Sequence, residues 1–191
     1  LYHGSKKRSK SIFTPEESIR LQFDLGSDII ICLDDFSPPQ ADADRIEESV
    51  KRTVSWAERA RAEFDRQLQQ RAYQPFNNKT RRPLLLAAIQ GHKSQHWRQY
   101  CANKLLEIGF DLYGLGGWPF DPAGNFDYDY CRFNAQLTPD EFPRFALGVG
   151  RPENIVQLYF MGYQIFDCVL PTRDARHQRL YVWKTDPGQL D

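Results

Sequence analysis

The feature that most limits the possible folds is a regular alternation of short apolar runs with longer amphipathic segments. Apolar runs of strand length occupy residues 28–33, 84–89, 110–115, 145–147 and 164–170. Continuous apolar runs of this length are typical of parallel strands that are buried on both faces. Segments with helical spacing separate them, as in successive βαβ units. The sequence therefore predicts an α/β fold with a parallel sheet and about five visible strands.

The segments between the runs carry the signals of helices. Thr14 is a predicted N-cap, Pro15 occupies the first helical position and Glu17 completes a capping box, while Gly26 is predicted to end this short helix. A long amphipathic helix is predicted from Ala41 to about Ala72. Further helices are predicted at residues 94–108, within 126–137, and from 152 to about 161.

Polar residues and glycines follow four consecutive apolar runs. They are Asp34, Gln90, the pair Gly116–Gly117, and Gly148. The beginnings of the runs show no such pattern, so packing alone does not account for it. In a (β/α)8 barrel the carboxyl ends of the strands meet on the face that holds the active site, and in a doubly wound sheet they line one edge. The residues alone leave both folds open, and both predict a functional site at these ends.

The last apolar run contains a carboxylate, Asp167, in its middle. Pro171 is predicted to stop this strand, and two arginines, Arg173 and Arg176, follow at once. Burying a carboxylate costs several kcal/mol unless it is hydrogen-bonded or paired. Asp167 is therefore either a rim carboxylate that backbone donors satisfy or a functional group.

Composition limits the partners and the compartment. Lys plus Arg and Asp plus Glu number 25 each, so only a local patch can favour a nucleic acid. The four cysteines form no C-x-x-C pair, which indicates free thiols in a reducing cytoplasm. No apolar run approaches the roughly 18 residues of a membrane span. The chain begins with Leu1 in a basic stretch and ends soon after the Asp167 run, so we expect a fragment of a longer protein.

Three motifs then indicate a family. The chain contains LYGLGG at 112–117, GVGRPENIV at 148–156 and FDCVLPTR at 166–173. With these motifs, residues 14–176 resemble the tRNA-guanine transglycosylases, the base-exchange enzymes of queuosine and archaeosine formation. The family's fold is the (β/α)8 TIM barrel. The resemblance implies that residues 1–191 are part of one catalytic barrel domain, incomplete in this chain, without its N-terminal strands and C-terminal zinc-binding part.

The resemblance also implies roles for residues at the strand ends. Asp167 matches the family's nucleophile, and Asp34 matches the carboxylate that binds the Watson–Crick edge of the base. Gln90 matches the amide that reads the carbonyl side, and the pair Gly116–Gly117 matches the backbone that reads the base. Leu147 stands where the family normally stacks a Met on the base.

The chain departs from the family's pattern near its beginning. Family members use the Asp of a DGS-type motif as general acid and base, whereas the candidate here is His3, in His3-Gly4-Ser5. An imidazole with an ordinary pKa of about 6.5 is chemically able to transfer protons near neutral pH. Phe36 and Trp118 also replace residues common in the family. These departures indicate a divergent member.

Basic residues near Asp167 suggest contacts with a polyanion. Arg151, Arg173 and Arg176 are candidates for binding phosphates that flank an extruded nucleotide, and their alternative role is surface solubility. The family's spacing of three Cys and a His for structural zinc is not found in this chain, so we expect no metal or cofactor here and any zinc ligands beyond Asp191.

The leading functional hypothesis is the exchange of guanine for a free 7-deazaguanine base at the wobble position of tRNA. The expected intermediate is a ribosyl group bound covalently to Asp167. One alternative is the same chemistry on DNA. A second alternative is a non-catalytic subunit that binds RNA beside a catalytic chain, and the resemblance also allows for a homodimer.

Overall fold

The computed structural model describes residues 13–71 and 82–182 of the chain. In these residues the helices are α1 (Pro15–Asp24), α2 (Ala43–Gln70), α3 (Gln95–Ile108), α4 (Tyr128–Ala135), α5 (Pro152–Phe160) and α6 (Leu170–Arg176). The strands are β1 (Ile29–Ile31), β2 (Leu84–Ile89), β3 (Leu112–Leu115), β4 (Arg144–Ala146) and β5 (Ile165–Phe166). Strands and helices alternate, as the sequence predicts.

All five strands are parallel, and their order in the sheet is their order in the sequence, β1-β2-β3-β4-β5. In a doubly wound sheet the order in which strands are added reverses at a switch point, whereas a (β/α) barrel adds each strand beside the preceding one. The strands accordingly form a curled half-barrel, an incomplete (β/α) barrel within an α/β fold. The sequence left the barrel and the doubly wound sheet open, and the strand order identifies the barrel.

The two faces of the sheet bury different sets of apolar side chains. The outer face packs against α2 and α3 and forms the larger core, with members such as Ile30, Leu85 and Ala87. The inner face is a smaller cluster of Leu86, Leu112 and Phe145, with partly buried neighbours on β1 and β5. Each fully buried Leu or Phe side chain stabilises the fold by about 1.5–3 kcal/mol. Most of the apolar stabilisation therefore lies between the sheet and the helices.

Helix α1 begins with the predicted capping box. The Thr14 N–H donates to Glu17 Oε2 at 2.9 Å, and the Glu17 N–H donates to Thr14 Oγ1 at 3.2 Å. Arg59 of α2 pairs with Glu16 through two hydrogen bonds of 2.7 Å, and these lower the pKa of Glu16 to about 2. The first turn of α1 is thus fixed both locally and to α2.

The prediction for the last strand is wrong in its extent. β5 contains two residues, Ile165 and Phe166, and the chain enters α6 at Leu170. Pro171 does not stop a strand but lies in the first turn of α6, where its missing N–H costs nothing. The outermost strands β1 and β5 are also less buried than predicted, because within residues 13–71 and 82–182 each has a neighbouring strand on one side only.

The helices are too short or too polar for a lipid bilayer. Within the described ranges, none is long and apolar enough to cross a membrane.

Candidate active site

The register of the sheet brings the predicted site residues to one level. Extending the observed pairs by one or two residues puts four of them side by side across the sheet, in the order Gln90, Gly116, Leu147 and Asp167. Side chains alternate between the faces of a strand, and these positions continue the alternation of the inner face. The carboxyl ends of β2 to β5 therefore form one continuous rim around the concave side of the half-barrel.

Asp34 joins this rim through Gln90. The Gln90 Nε2 donates to Asp34 Oδ2 at 2.5 Å, and Gln90 is only 1% exposed. Burial raises the pKa of Asp34, and the hydrogen bond from Gln90 opposes that increase. In the described part of the chain, Gln90 Oε1 is buried without a hydrogen-bond partner. Buried polar atoms are rarely left unpaired, so this oxygen has unused capacity to accept a hydrogen bond.

The neighbouring carboxylate, Asp35, has a different environment that the sequence did not reveal. It accepts two hydrogen bonds from Arg45 and one from Arg52, and its own N–H donates to Thr53 Oγ1 at 2.9 Å. Burial acts to raise the pKa of Asp35, but the hydrogen bonds and charges of the two arginines outweigh it and lower that pKa. Asp35 thus fixes the loop to α2, whereas Asp34 accepts its side-chain hydrogen bond from Gln90 of the rim.

The two glycines after β3, Gly116 and Gly117, differ in the hydrogen bonds of their backbone groups. The Gly116 N–H donates to Ile89 O at 3.2 Å, and the Gly116 carbonyl accepts from Arg98 and from Tyr130 Oη, the latter at 2.8 Å. Gly117 has φ 103°, and a Cβ at this position would overlap Tyr130 Oη, so only glycine fits. Among the described residues, nothing accepts a hydrogen bond from the Gly117 N–H. Within the described residues, Gly117 thus offers a free backbone donor at this rim.

Asp167 is a rim carboxylate, one of the two alternatives that the sequence left open, and it does not lie within a strand as the predicted run 164–170 implied. Asp167 directly follows β5, and its side chain is exposed. Its Oδ1 accepts a 2.9 Å hydrogen bond from the Gly148 N–H. This contact fixes the carboxylate at the rim beside Leu147, which is partly buried in the inner cluster. A single backbone donor leaves the other carboxylate oxygen available.

A close packing contact that the sequence did not reveal supports the Asp167 loop. A Cβ built on Gly150 would overlap the Sγ of Cys168, the residue after Asp167. Gly150 therefore has to remain without a side chain for the loop to keep its position. The sequence signal for this contact is the motif GVGRP itself, which carries glycine at both 148 and 150.

The remaining predicted residues lie at the helices that follow β4 and β5 or outside the described ranges. Arg151 is the N-cap residue of α5, and Arg173 and Arg176 lie in the last turn of α6. All three are exposed, and Arg151 and Arg173 lie 3.9 and 3.7 Å from the carboxylates of Glu153 and Asp174. His3 is not among the described residues. Within the described ranges, no group of three or more His, Cys, Asp or Glu is arranged to hold a metal ion.

Comparison with known proteins agrees with the motifs. A family model described as queuine tRNA-ribosyltransferase matches residues 3–191. Among similar proteins are three named queuine tRNA-ribosyltransferase, each 34% identical to this chain. Those of Actinobacillus pleuropneumoniae serotype 3, Hamiltonella defensa and Thermoanaerobacter sp. strain X514 align with 95%, 96% and 92% of this chain and with 47%, 49% and 44% of their own lengths. The chain spans about half the length of the curated relatives it matches.

Proposed function

The chain belongs to the queuine tRNA-ribosyltransferase family, and from this premise we propose that it contributes the base-binding rim and the nucleophile of a tRNA-guanine transglycosylase. The proposed reaction exchanges guanine for a 7-deazaguanine base at the wobble position of tRNA. The observation that carries the proposal is the alignment of Gln90, Gly116, Leu147 and Asp167 at one level, with Asp34 bonded to Gln90.

The groups at the rim match the edge of guanine. The base presents N–H donors at N1 and N2 and a carbonyl acceptor at C6. Asp34 is an acceptor for such donors, and the Gln90 amide nitrogen, which keeps a second N–H beside its bond to Asp34, and the free Gly117 N–H are the proposed donors for such a carbonyl. Leu147 supplies an apolar surface next to them, as a flat base requires. This arrangement supports binding of guanine and of 7-deazaguanines that keep the same edge.

Asp167 is suited to act as the nucleophile because it is exposed and held by one backbone donor. In the proposed first step, a carboxylate oxygen of Asp167 forms a bond to C1′ of the ribose while the bond from C1′ to the guanine nitrogen breaks. The electron pair of the broken bond leaves with guanine, which takes up a proton. In the second step, the incoming base loses a proton as its nitrogen bonds C1′ and releases the Asp167 carboxylate.

Two further roles complete the proposal. His3 is the candidate for transferring protons to the leaving base and from the incoming base, by its position in the motif. Arg151, Arg173 and Arg176 are exposed cations and are the proposed contacts for the phosphates of the RNA.

The decisive experiment uses the complete protein with radiolabelled guanine and either unmodified tRNA or duplex DNA. We expect label in tRNA from the wild type and none from Asp167→Asn, because the amide is a poor nucleophile of the same size. Asp129→Asn is the matched control, since this carboxylate is also exposed but lies on α4. We expect it to label tRNA at the wild-type rate.

Three other outcomes contradict parts of the proposal. Label in tRNA from Asp167→Asn rejects the nucleophile. Label in DNA alone moves the reaction to a DNA-modifying enzyme. A folded protein that labels neither polymer, but binds tRNA, favours a non-catalytic RNA-binding subunit.

A further inference from the structure

The buried guanidinium of Arg98 lies directly behind the proposed base site. Arg98 is on α3 and is 1% exposed. Its Nε donates to His92 O at 2.8 Å, its Nη1 donates to Ile89 O at 3.1 Å and to Asn134 Oδ1 at 2.5 Å, and its Nη2 donates to Gly116 O and to Tyr130 Oη. All five N–H donors of the side chain are therefore used.

The acceptors of Arg98 belong to the two loops that carry the proposed base-reading groups. Ile89 and His92 enclose Gln90 and the turn after β2, and Gly116 precedes the free Gly117 N–H after β3. One planar cation thus fixes the distance between the amide of Gln90 and the backbone of Gly117. A lysine at this position has one nitrogen and cannot reach these acceptors together.

The packing around Arg98 is built to allow this arrangement. A Cβ on Gly91 would lie 2.5 Å from the Arg98 backbone nitrogen, and one on Gly117 would lie 3.0 Å from Arg98 Nη2. The Tyr130 ring lies 4.2 Å from Arg98 Cζ and stabilises the cation from one side. Asn134 is itself held by Tyr163 at 3.3 Å. Two glycines and two polar partners thus enclose the guanidinium.

The charge of Arg98 is costly to bury. Its five acceptors are carbonyl, amide and hydroxyl oxygens, and among the described residues no carboxylate pairs with it. Burial lowers the pKa of Arg98 to about 10. The guanidinium offsets this cost by supplying donors to oxygens of several segments from one planar group, so we expect its geometry to set the separation of the two loops.

We propose that Arg98 is a positioning residue for base recognition, which holds the loops after β2 and β3 at the separation that one purine edge requires. The inference rests on the proposed function, and it concerns binding of the base rather than the chemical steps. Arg98 does not touch the base, because its donors are all occupied by the protein.

The test compares two buried arginines in the complete protein. Arg98→Lys keeps the positive charge and loses the planar guanidinium with its five N–H donors. Arg144→Lys is the matched control, because Arg144 is also buried and also donates to backbone carbonyls, of Thr138 and Gly162, but at the opposite end of β4 from the rim. The readouts are the Kd of radiolabelled guanine by equilibrium dialysis, the KM for tRNA and the urea midpoint of unfolding.

For Arg98→Lys we expect the Kd of guanine to rise about tenfold or more, with a KM for tRNA within about twofold of wild type. For Arg144→Lys we expect a lower urea midpoint and a Kd of guanine within about twofold of wild type. Equal effects of the two substitutions on guanine binding, or no effect of Arg98→Lys, overturn the inference.

A second variant covers the case in which Arg98→Lys does not fold. Tyr130→Phe removes one acceptor of Arg98 and one donor to the Gly116 carbonyl but keeps the ring, and we expect a Kd of guanine raised by about threefold to tenfold. An unchanged Kd in folded Tyr130→Phe overturns the inference. If the wild type neither binds nor exchanges guanine, the proposed function itself is wrong. If the wild type exchanges guanine and the variants bind guanine normally, only the role of Arg98 is rejected.

Discussion

The side-chain amide of Gln90 donates a 2.5 Å hydrogen bond to the carboxylate of Asp34, a residue 56 positions earlier in the chain. The contact joins the ends of β1 and β2 and places a buried carboxylate beside a buried amide whose oxygen is unpaired within the described residues. Burial disfavours the charged form of Asp34 and so lowers the stability of the free protein near neutral pH, and this loss can be measured.

Asp34→Asn is expected to weaken guanine binding and to change how stability depends on pH. The pKa of Asp34 is raised by burial, so the folded protein loses stability as the pH rises from about 3.8 through the folded pKa. The variant lacks this loss and is expected to be more stable than wild type at neutral pH, with the advantage disappearing in acid. The Kd of guanine should rise about tenfold, since a charged acceptor is lost.

Asp35→Asn is the control, because it is expected to change stability at neutral pH in the opposite direction. Its pKa is lowered by Arg45 and Arg52, so the ionised form stabilises the folded protein above about pH 3.8, and that contribution is lost as the pH falls through the folded pKa. The variant should be less stable than wild type at neutral pH and equal to it in strong acid. Urea unfolding at a series of pH values measures the stability of both variants. If both substitutions changed stability at neutral pH in the same direction, the different environments assigned to Asp34 and Asp35 would be contradicted.

Gly150→Ala is expected to reduce base exchange at least tenfold while leaving guanine binding nearly unchanged. Its methyl group would overlap Cys168 and push the Asp167 loop from its position, while the base-reading groups lie on other strands. Gly150→Ala combined with Cys168→Gly removes the overlapping side chain and should recover part of the activity. Kinetics of the two single variants and the double variant test this, and strictly additive losses would argue against the contact.

Cys168 is expected to react first with a thiol reagent. Burial raises the pKa of Cys32 and Cys131 to about 12 and of Cys101 to about 11, whereas Cys168 is partly exposed. Because Cys168 adjoins Asp167, alkylation with a bulky maleimide should abolish base exchange. Peptide mass spectrometry identifies the modified residue, and Cys168→Ala is the control that should resist inactivation. Early labelling of Cys101 would contradict the observed burial.

Thr14→Ala should destabilise the protein by about 1 kcal/mol, because it removes one half of the capping box of α1. Arg151→Ala is a control at another N-cap, since Arg151 makes no side-chain capping hydrogen bond. We expect this control to leave stability within about 0.5 kcal/mol of wild type and to weaken binding of tRNA. Thermal unfolding measures the stability of both variants. Equal destabilisation by Thr14→Ala and Arg151→Ala would contradict the conclusion that only the Thr14 side chain caps its helix.

Local sequence patterns predicted the helices and strands and the order of the strand-end residues. Apolar runs and helix signals are local, so the capping box of Thr14 and the strand from Leu84 to Ile89 were predicted correctly. The polar residues after the strands were also correctly assigned to strand ends, because parallel strands of βαβ units share one direction. The length of the last strand was wrong, because an apolar run cannot distinguish a strand from the first turn of a helix.

Long-range contacts of the folded chain establish which strands are neighbours, which carboxylates are paired and where the charges lie. Strand order distinguished the half-barrel from a doubly wound sheet. The different environments of Asp34 and Asp35, two adjacent residues of the same type, depend on partners from β2 and α2. The role proposed for Arg98 rests on acceptors from several segments that no spacing along one helix reveals. Such contacts join residues that are distant in the sequence, so they appear only when the chain is folded.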